Sequence, residues 1–567
     1  GNLNYVYSSV FEGNKAKDGV GGAIYWEASS SYIYNTNLTS NCADYGGGLY
    51  LGGDSAESTI LNCSFTDNHA KFTGGAIDCN ASKMYLSNTT FDSNYAQFGS
   101  ALCREVNAKG GSGANNTFIN NHAYVAGAAL GWMGSVNITI TNYTFINNSA
   151  EVCGGAIYVS RTSHNCSIIN SNFENNYVTN ATSTWDGNKF YWTAWDGEHM
   201  SFSLVLTTDP SLINTTVIGV DTIFYSSSEE AGKENMGVGG AISCLAANAT
   251  ITESNFTNNT ANKGGALYVG SYEGHTNINR SVFTSNIAYE IGGAINLHAS
   301  GVHIDEGEFY NNTAVNGSAL YVGGVGTANK VHESIFEGNN ATDHGGAIYW
   351  KAYEGEIIGT NFTNNRAIYG GAIYLNGVSN NTNIINSTFK FNNATKNGGA
   401  MECNASNIGI YNITFESNYA GEYGAALCRE KGATSGHGIN NTFIANHAGI
   451  AGAALAWMGV DNININYYYF INNTANKGGA AIYVSDDSDN CIINHSSFSG
   501  NYITNDTGGH GGAIYVVGDN ATIVNSNFTD NHAFYGGAIF AGNSSGNTNM
   551  TNVTFDNNWA NVDGGAI

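Results

Sequence analysis

The sequence predicts an all-β fold, a parallel β-helix of about 19 coils of about 27 residues with one inserted arm. Three observations predict it. A Phe-x-x-Asn marker recurs at a nearly fixed interval, a Gly-Gly-Ala-Ile run recurs with it, and the 567 residues contain one proline. Periodic repeats of this length indicate a solenoid, whose units bury a core only by stacking. A scarcity of proline fits strands that must all donate hydrogen bonds to their neighbours.

The marker residue, Phe in every unit but one, recurs in steps of 26 to 30 residues, apart from the gap between residues 173 and 256. Its positions are Phe11, Leu38, Phe65, Phe91, Phe118, Phe145, Phe173, Phe256, Phe283, Phe309, Phe336, Phe362, Phe389, Phe415, Phe443, Phe470, Phe498, Phe528 and Phe555. Between markers lie short runs rich in Ile, Val, Tyr and Thr, which favour strands.

Each repeated residue type has a predicted place in the coil. We expect the marker Phe to stack on its counterparts in adjacent coils. We expect the Asn three residues later to lie at a corner, with left-handed backbone and an amide bonded to the coils above and below. The Gly pair supplies a sharp bend. The Ile or Leu after it, and the Val, Trp, Leu or Cys two residues later, should face inward, while the intervening Ala and Tyr face outward.

A longer period divides the chain into blocks. GGAIYW, CNAS, ALCRE and WMG each occur twice, offset by 324 or 325 residues, so that a second block begins near residue 326. The chain ends within a strand-like GGAI, from which we expect either a longer protein or end-to-end joining of copies.

Residues 180–238 interrupt the repeat and separate coils 1–179 from coils 239–567. This arm holds three of the eight tryptophans and the single proline, and the second block lacks it. An insertion on one face of a solenoid is often a binding element, and Trp and Tyr are suited to contacts with sugars or proteins. The candidate binding residues are Trp185, Tyr191, Trp192 and Trp195, with a decorative loop or edge cover as the alternative.

The net charge of -25 argues against binding to nucleic acid or to an anionic membrane surface. No apolar run is long enough to span a bilayer. The ten cysteines form no zinc-type spacing, and we expect neither a cofactor nor a metal.

The sequence predicts a protein that is not an enzyme. Polysaccharide cleavage needs two or three clustered carboxylates, whereas the acidic residues fall in scattered turns. The Gly-His-Gly triplets at His437 and His510 resemble a pectin-hydrolase motif but lack paired aspartates and Arg-x-Lys. We expect the NHA histidines to be solvent-facing turn residues. These are His69, His122, His447 and His532.

Two cysteine pairs lie one coil apart, Cys79 with Cys103 and Cys403 with Cys428, and are candidates for disulfides. An offset of one residue would aim the two thiols at opposite faces, so buried free thiols are the alternative. Asn-x-Ser/Thr sequons predict a glycosylated surface in an exported protein. The candidates include Asn37, Asn62, Asn137, Asn255, Asn361, Asn412, Asn527 and Asn552.

The pairing of GGA[I/L] with F-x-x-N resembles the repeat of the chlamydial polymorphic outer-membrane proteins. It is also similar to the Asn/Thr-rich adhesin-like surface proteins of methanogenic archaea. The resemblance spans nearly all of the chain except 180–238, and it implies a right-handed parallel β-helix and an extracellular, cell-surface location. It further implies adhesion or surface architecture. We expect glycans, a neighbouring cell surface or further copies of the chain, joined end to end or laterally, as partners. We therefore expect an adhesin or filament-forming stalk, with a polysaccharide-processing lyase or hydrolase as the alternative.

Overall fold

The chain folds as a parallel β-solenoid of about 18 turns with ~27 residues in each turn, which confirms the predicted fold class. The computed structural model describes residues 4–27, 30–53, 57–105, 108–179, 184–185, 189–194, 202–207, 222–225, 237–270, 275–323, 327–433, 436–542 and 546–567. These residues contain strands and turns and no helix, so none of them belongs to a helix that could cross a membrane.

Most coils have four short strands, which we name by the sheet that each enters; among the described residues the first coil has no strand in sheet c and the last has none in sheet d. In the coil of residues 57–79 they are Glu57–Leu61 in sheet a, Ser64–Thr66 in sheet b, His69–Thr73 in sheet c and Ile77–Cys79 in sheet d. Every one of them pairs in parallel with the corresponding strand of the next coil. The strands are only three to five residues long because a turn follows each of them.

The coils around the ALCRE segment are present in both blocks. In the first block, in the order a to d, their strands are Lys83–Ser87, Thr90–Asp92, Tyr95–Phe98 and Leu102–Arg104, then Gly111–Ala114, Thr117–Ile119, His122–Ala126 and Leu130–Trp132. In the second block they are Asn383–Ile385, Thr388–Lys390, Asn393–Ala394 and Met401–Cys403, then Gly409–Tyr411, Thr414–Glu416, Tyr419–Ala420 and Leu427–Arg429, then His437–Ile439, Thr442–Ile444, His447–Ala448 and Leu455–Trp457.

The marker phenylalanines stack as predicted. Phe65 and Phe91 have ring centroids 5.0 Å apart with an interplanar angle of 9°, and Phe91 and Phe118 lie 4.7 Å apart at 2°. In the second block Phe362 and Phe389 repeat the arrangement at 4.7 Å and 6°. The spacing of about 4.7–4.9 Å between hydrogen-bonded strands sets this distance, so identical residues lie directly over one another.

The Asn of the marker motif forms a buried amide ladder. The Nδ2 group of Asn68 donates to Oδ1 of Asn94 at 3.1 Å and to the carbonyl oxygen of Leu38 at 2.9 Å. Its Oδ1 accepts from the backbone N–H and Nδ2 of Asn41. The predicted bonding is confirmed, but the left-handed backbone lies one residue earlier, at Asp67 with φ 53°. The chain therefore bends at Asp67, and the side chain of Asn68 points inward.

The glycine pair makes the sharp bend that the sequence predicts. Gly154 has φ +61°, and a Cβ on Gly155 would overlap the backbone of the next coil at Gly240. The Ala that follows was expected to face outward, yet Ala156 is fully buried. The strand begins only at Ile157, so the alternation of faces has not started at the alanine.

The structure divides into two compact units, residues 1–276 with 286–289, and residues 277–285 with 290–567. The arm is an insertion within the first unit. Four strands lie in a separate sheet there, Thr184–Trp185, Lys189–Ala194, Phe202–Thr207 and Thr222–Tyr225. The coils on either side of the arm pair directly with each other, with Phe173 opposite Phe256.

We predict that Asn365→Asp destabilises the fold by about 2–5 kcal/mol, because buried polar groups without partners cost about 1–3 kcal/mol each. The substitution removes the Nδ2 donor to Phe336 and Asn392, and it places a carboxylate oxygen near their oxygens. The measurement is the midpoint of urea unfolding.

Asn364→Gly is the matched control in the same turn. Asn364 has φ 55°, which glycine adopts freely, so we expect a change within about 0.5 kcal/mol. Equal midpoints for Asn365→Asp and the wild type would show that the ladder contributes little to stability.

Candidate functional site

Buried charged residues cluster in the sheet d strands that contain ALCRE and in the sheet d strands of the adjacent coils. In these strands the first and third residues face the interior and the middle residue faces the opposite side. Leu102 and Arg104 therefore face inward, and Cys103 faces outward beside Asp78 of the preceding coil. The second block repeats this register, with Cys428 opposite Glu402.

A carboxyl pair lies on the outward side in the first block. Asp78 is 1% exposed, and its Oδ2 accepts a hydrogen bond from the hydroxyl of Thr73. Burial, and then the nearby Glu105, raises the pKa of the Asp78 carboxyl well above its usual range. Burial also raises the pKa of Glu105, whose Oε1 lies 3.8 Å from Sγ of Cys103. Two acids in unlike environments are the arrangement from which acid–base pairs are built.

The second block has an equivalent pair. Burial, and then Glu430, raises the pKa of Glu402 to about 9, so this side chain is a neutral acid at pH 7. Glu402 is 2% exposed, and its Oε2 has no hydrogen-bond partner, as expected for an acid that gives up its charge on burial. Glu430 accepts from Nδ2 of Asn397 at 2.7 Å. Asn397 occupies the place of Thr73.

Sequence reasoning missed both pairs, because Asp78 and Glu105 stand 27 positions apart and become neighbours only when coils stack. A usable signal was present. The acid before CNAS and the Glu of ALCRE occur in both blocks at the block offset, whereas most surface acids do not. Asp78 and Glu402 are buried in this conformation, whereas Glu105 and Glu430 are partly exposed.

The candidate disulfides are not formed in this structure, in which all ten cysteines are free thiols. The register places Cys79 opposite Arg104 and Cys103 opposite Asp78, so the two thiols face opposite sides of the sheet. The same holds for Cys403 and Cys428. Burial raises the pKa of each of these thiols, which keeps them protonated at neutral pH.

The NHA histidines were predicted to be turn residues, and this prediction is wrong. Each begins a strand of sheet c, where its ring packs against an aromatic side chain of an adjacent coil. His69 stacks on Tyr95 at 4.8 Å, and His532 stacks on Tyr502 at 4.9 Å. Within the described residues no group of three His, Cys, Asp or Glu side chains is arranged to hold a metal ion.

Tyrosines form a column along the outward side of sheet d. Tyr321, Tyr349 and Tyr374 stack at 5.0 and 5.1 Å, and Tyr349 and Tyr374 accept hydrogen bonds from Asn376 and Asn404. Because each ring covers the face of the next, the column presents ring edges and hydroxyls rather than open faces. Its exposure varies along the chain, from 52% at Tyr25 to 2% at Tyr268.

Trp185, Tyr191 and Trp192 lie in strands of a separate four-stranded sheet. The backbone of Trp185 pairs with Phe190, next to Tyr191 and Trp192 in the adjoining strand. Trp195 lies outside the described residues. The binding role of the arm stays a prediction.

All eight candidate glycosylation asparagines are exposed. They occupy two kinds of position: the first residue of a sheet b strand, or the left-handed turn residue that precedes a strand of sheet a or sheet b by two. The first group is Asn37, Asn255, Asn361 and Asn527, and the second is Asn62, Asn137, Asn412 and Asn552. Both positions are open to a modifying enzyme, and glycosylation itself stays a prediction.

Comparison with known proteins gives a class. The repeat model described as Chlamydia polymorphic membrane protein (Chlamydia_PMP) repeat matches residues 8–25, 142–160, 253–270, 333–349, 468–485 and 552–567. The chain is therefore a parallel β-solenoid protein in which six segments are similar to the chlamydial polymorphic membrane protein repeat. Comparison with curated protein sequences gives no match.

Comparison with solved structures gives matches of low TM-score to adhesins and enzymes. The Streptococcus pneumoniae surface protein and adhesin PfbA has 12% identity and a TM-score of 0.26, with 74% of this chain and 91% of that chain covered. The periplasmic alginate epimerase AlgG has 10% identity and a TM-score of 0.25, with 84% and 77% covered. A mutant tailspike protein of E. coli bacteriophage HK620 has 12% identity and a TM-score of 0.24, with 94% and 72% covered.

We predict that Glu402→Gln stabilises the protein increasingly as the pH rises. The folded pKa of about 9 lies above the ordinary glutamate pKa of 4.5, so the stability that wild-type Glu402 has at low pH is lost between about pH 4.5 and 9. Gln stays neutral, so the difference should reach the order of a few kcal/mol at pH 9 and vanish near pH 4. Melting temperatures measured from pH 4 to 9 provide the check.

The exposed Glu337→Gln is the control, and its effect should not grow with pH in this way. A difference between Glu402→Gln and wild type that stays constant from pH 4 to 9 would contradict burial of a neutral acid.

Proposed function

We propose that this protein is an extracellular cell-surface adhesin, in which a non-catalytic β-solenoid holds out the 180–238 arm as its binding element. Matches to the chlamydial polymorphic membrane protein repeat at six places support a surface or secreted protein. The exposed sequon asparagines are compatible with an exported, glycosylated chain.

One observation supports separate roles for the coils, as a scaffold, and for the arm, as a binding element. Across the insertion Phe173 stacks on Phe256 at 4.7 Å and 5°, as closely as residues of uninterrupted neighbouring coils do. Asn176 also donates to Asn259 at 3.1 Å, so the amide ladder continues past the arm. The scaffold closes without using the arm, which leaves the arm unconstrained by the demands of coil stacking.

The second block shows the same connection without an arm. There Tyr502–Ile503 is followed by a short turn, and His510 bridges to Gly478 and Tyr535 at the start of the next bend. In the first block the corresponding strand is Tyr177–Val178, and the corresponding bridge is made by Val238. The natural connection of residues 505–509 is therefore a ready replacement for residues 180–237.

We propose glycans as the ligand of the arm, with a neighbouring cell surface as the place where they are displayed. Two tryptophans and a tyrosine lie in adjoining strands of the arm sheet, at Trp185, Tyr191 and Trp192. Aromatic rings recognise the apolar faces of sugars, and an acidic chain is unsuited to nucleic acid.

We predict that replacing residues 180–237 with Asn-Asp-Thr-Gly-Gly abolishes binding while the melting temperature stays within about 3 °C of wild type. The coils on both sides of the arm already pair with each other, so the scaffold should persist. Binding is measured on a glycan array and on whole cells. The matched control replaces residues 505–509 with five residues of Gly and Ser, which shortens nothing and should leave binding unchanged.

Retention of full binding by a folded variant without the arm would contradict the proposal and would assign recognition to the coils. Self-association belongs to the same proposal, because identical coil registers, Phe over Phe, would also allow coils of two copies to pair. Sedimentation velocity over a hundredfold concentration range tests it, and a monomer at every concentration would contradict it.

The alternative, a polysaccharide-processing enzyme, is favoured by one observation, the repeated carboxyl pairs. If that alternative holds, turnover on a panel of polysaccharides should be detected and should fall at least 100-fold in Asp78→Asn/Glu402→Gln. We predict instead that the wild-type chain produces no new reducing or unsaturated ends. Turnover that disappears in this double variant but persists in Glu337→Gln would overturn the adhesin proposal.

A further inference from the structure

Each block buries one arginine in the interior of the solenoid. Arg104 and Arg429 are both 3% exposed, and both occupy the third residue of a sheet d strand. In adjacent coils the same column holds residues such as Cys79 and Trp132. A guanidinium at this place is unexpected, since the inward column is otherwise apolar.

Glycines make room for the arginine in the first block. The sheet a strand Gly111–Ala114 places Gly113 where neighbouring coils have Leu86 and Ile140. A Cβ on Gly113 would overlap the hydroxyl group of Tyr143, which fills that space, and a Cβ on Gly111 would lie 3.2 Å from Nη1 of Arg104.

The second block builds the same arrangement with equivalent residues. A Cβ on Gly436 would overlap the guanidinium of Arg429, and one on Gly438 would overlap the hydroxyl group of Tyr468. Two glycines, one arginine and one tyrosine are therefore placed alike in coils about 325 residues apart. Because the arrangement recurs in both blocks, it is a repeated feature of the fold and not a result of packing in a single coil.

Each arginine lines a small cavity. In the first block Arg104, Trp132 and Tyr143 contribute to its wall, and in the second Arg429, Trp457 and Tyr468 do so. Each cavity has a volume of about 10 Å³, which is room for one particle of about the size of a water molecule.

Among the described residues neither guanidinium has an acidic partner, and one N–H group of each makes no hydrogen bond. Nη2 of Arg104 donates to the carbonyl of Gly110 at 2.6 Å, while Nε is buried with no hydrogen-bond partner. In the second block Nη2 of Arg429 lies 3.4 Å from the carbonyl of Ile408, and Nη1 has no partner. Within the described part of the chain neither arginine forms a salt bridge.

The neighbouring titratable groups do not supply a countercharge. Burial raises the pKa of the Cys79 thiol even though Arg104 acts against it, and burial likewise raises the pKa of the Tyr143 phenol. Cys403 and Tyr468 behave in the same way beside Arg429. Arginine does not give up its proton in proteins, and an unpaired buried charge costs several kcal/mol.

We propose that each cavity binds one monatomic anion of the halide class, chloride in the natural setting, against the unpaired N–H of the buried guanidinium. The anion replaces the missing countercharge and accepts the unused hydrogen bond. This inference is independent of the proposed adhesive function.

The direct test uses wild-type crystals soaked in sodium bromide, with diffraction data collected at the bromine absorption edge. We expect one anomalous peak beside Arg104 and one beside Arg429. Density in both cavities without anomalous signal would mean a buried water only and would overturn the proposal, as would empty cavities.

A second test works in solution and includes matched variants. The melting temperature of the wild type should rise with sodium chloride or bromide relative to sodium gluconate at equal ionic strength. That halide-dependent shift should be lost in Arg104→Met/Arg429→Met and retained in the exposed Arg366→Met. A wild-type melting temperature that is the same in all three salts overturns the proposal. If the double variant does not fold, the bromide soak of the wild type still decides.

Discussion

The strict register between adjacent coils is the constraint on which this structure depends. A coil of about 27 residues encloses too small a core to fold alone, so its backbone and its inward polar atoms must find partners in the coils above and below. The amide ladder shows how completely this happens. Asn68 uses both hydrogens of its amide, both acceptor sites of Oδ1 and its own backbone N–H in bonds to other coils. A shift by one residue would break all of these bonds at once.

The same constraint gives meaning to the exceptions. Where most buried polar groups are satisfied in every coil, an unsatisfied one is easily recognised. Four charged side chains with such an atom lie in the coils around ALCRE: Asp78, Arg104, Glu402 and Arg429. On the outward side, buried carboxyls lose their charge, as Glu402 does. On the inward side, Arg429 keeps its charge and lacks a partner. Buried polar groups that remain unmet mark either a cost of folding or a bound species, and the repetition of both features in two blocks favours a selected role.

Much of the coil follows from local sequence rules. Phe spacing, the glycine bend and the amide bonds at the corner were all predictable, since a repeat observed many times averages out local ambiguity. The predictions that were wrong concern residues whose backbone conformation or burial depends on the adjacent residues. The left-handed residue is Asp67 rather than Asn68, because the inward amide needs the bend to lie before it. Ala156 is buried because its strand has not yet begun.

The sequence by itself determined the solenoid, the length of its turn, the two blocks and the place of the arm, because each of these depends on residue spacing along the chain. Only the tertiary structure decided which distant residues meet. It separated Cys79 from Cys103 across a sheet, joined Asp78 to Glu105, and enclosed Arg104 with Tyr143 and two glycines. Those outcomes depend on which face of a strand each residue occupies once coils stack. A shift of one position reverses that face, and linear spacing does not specify it to within one residue.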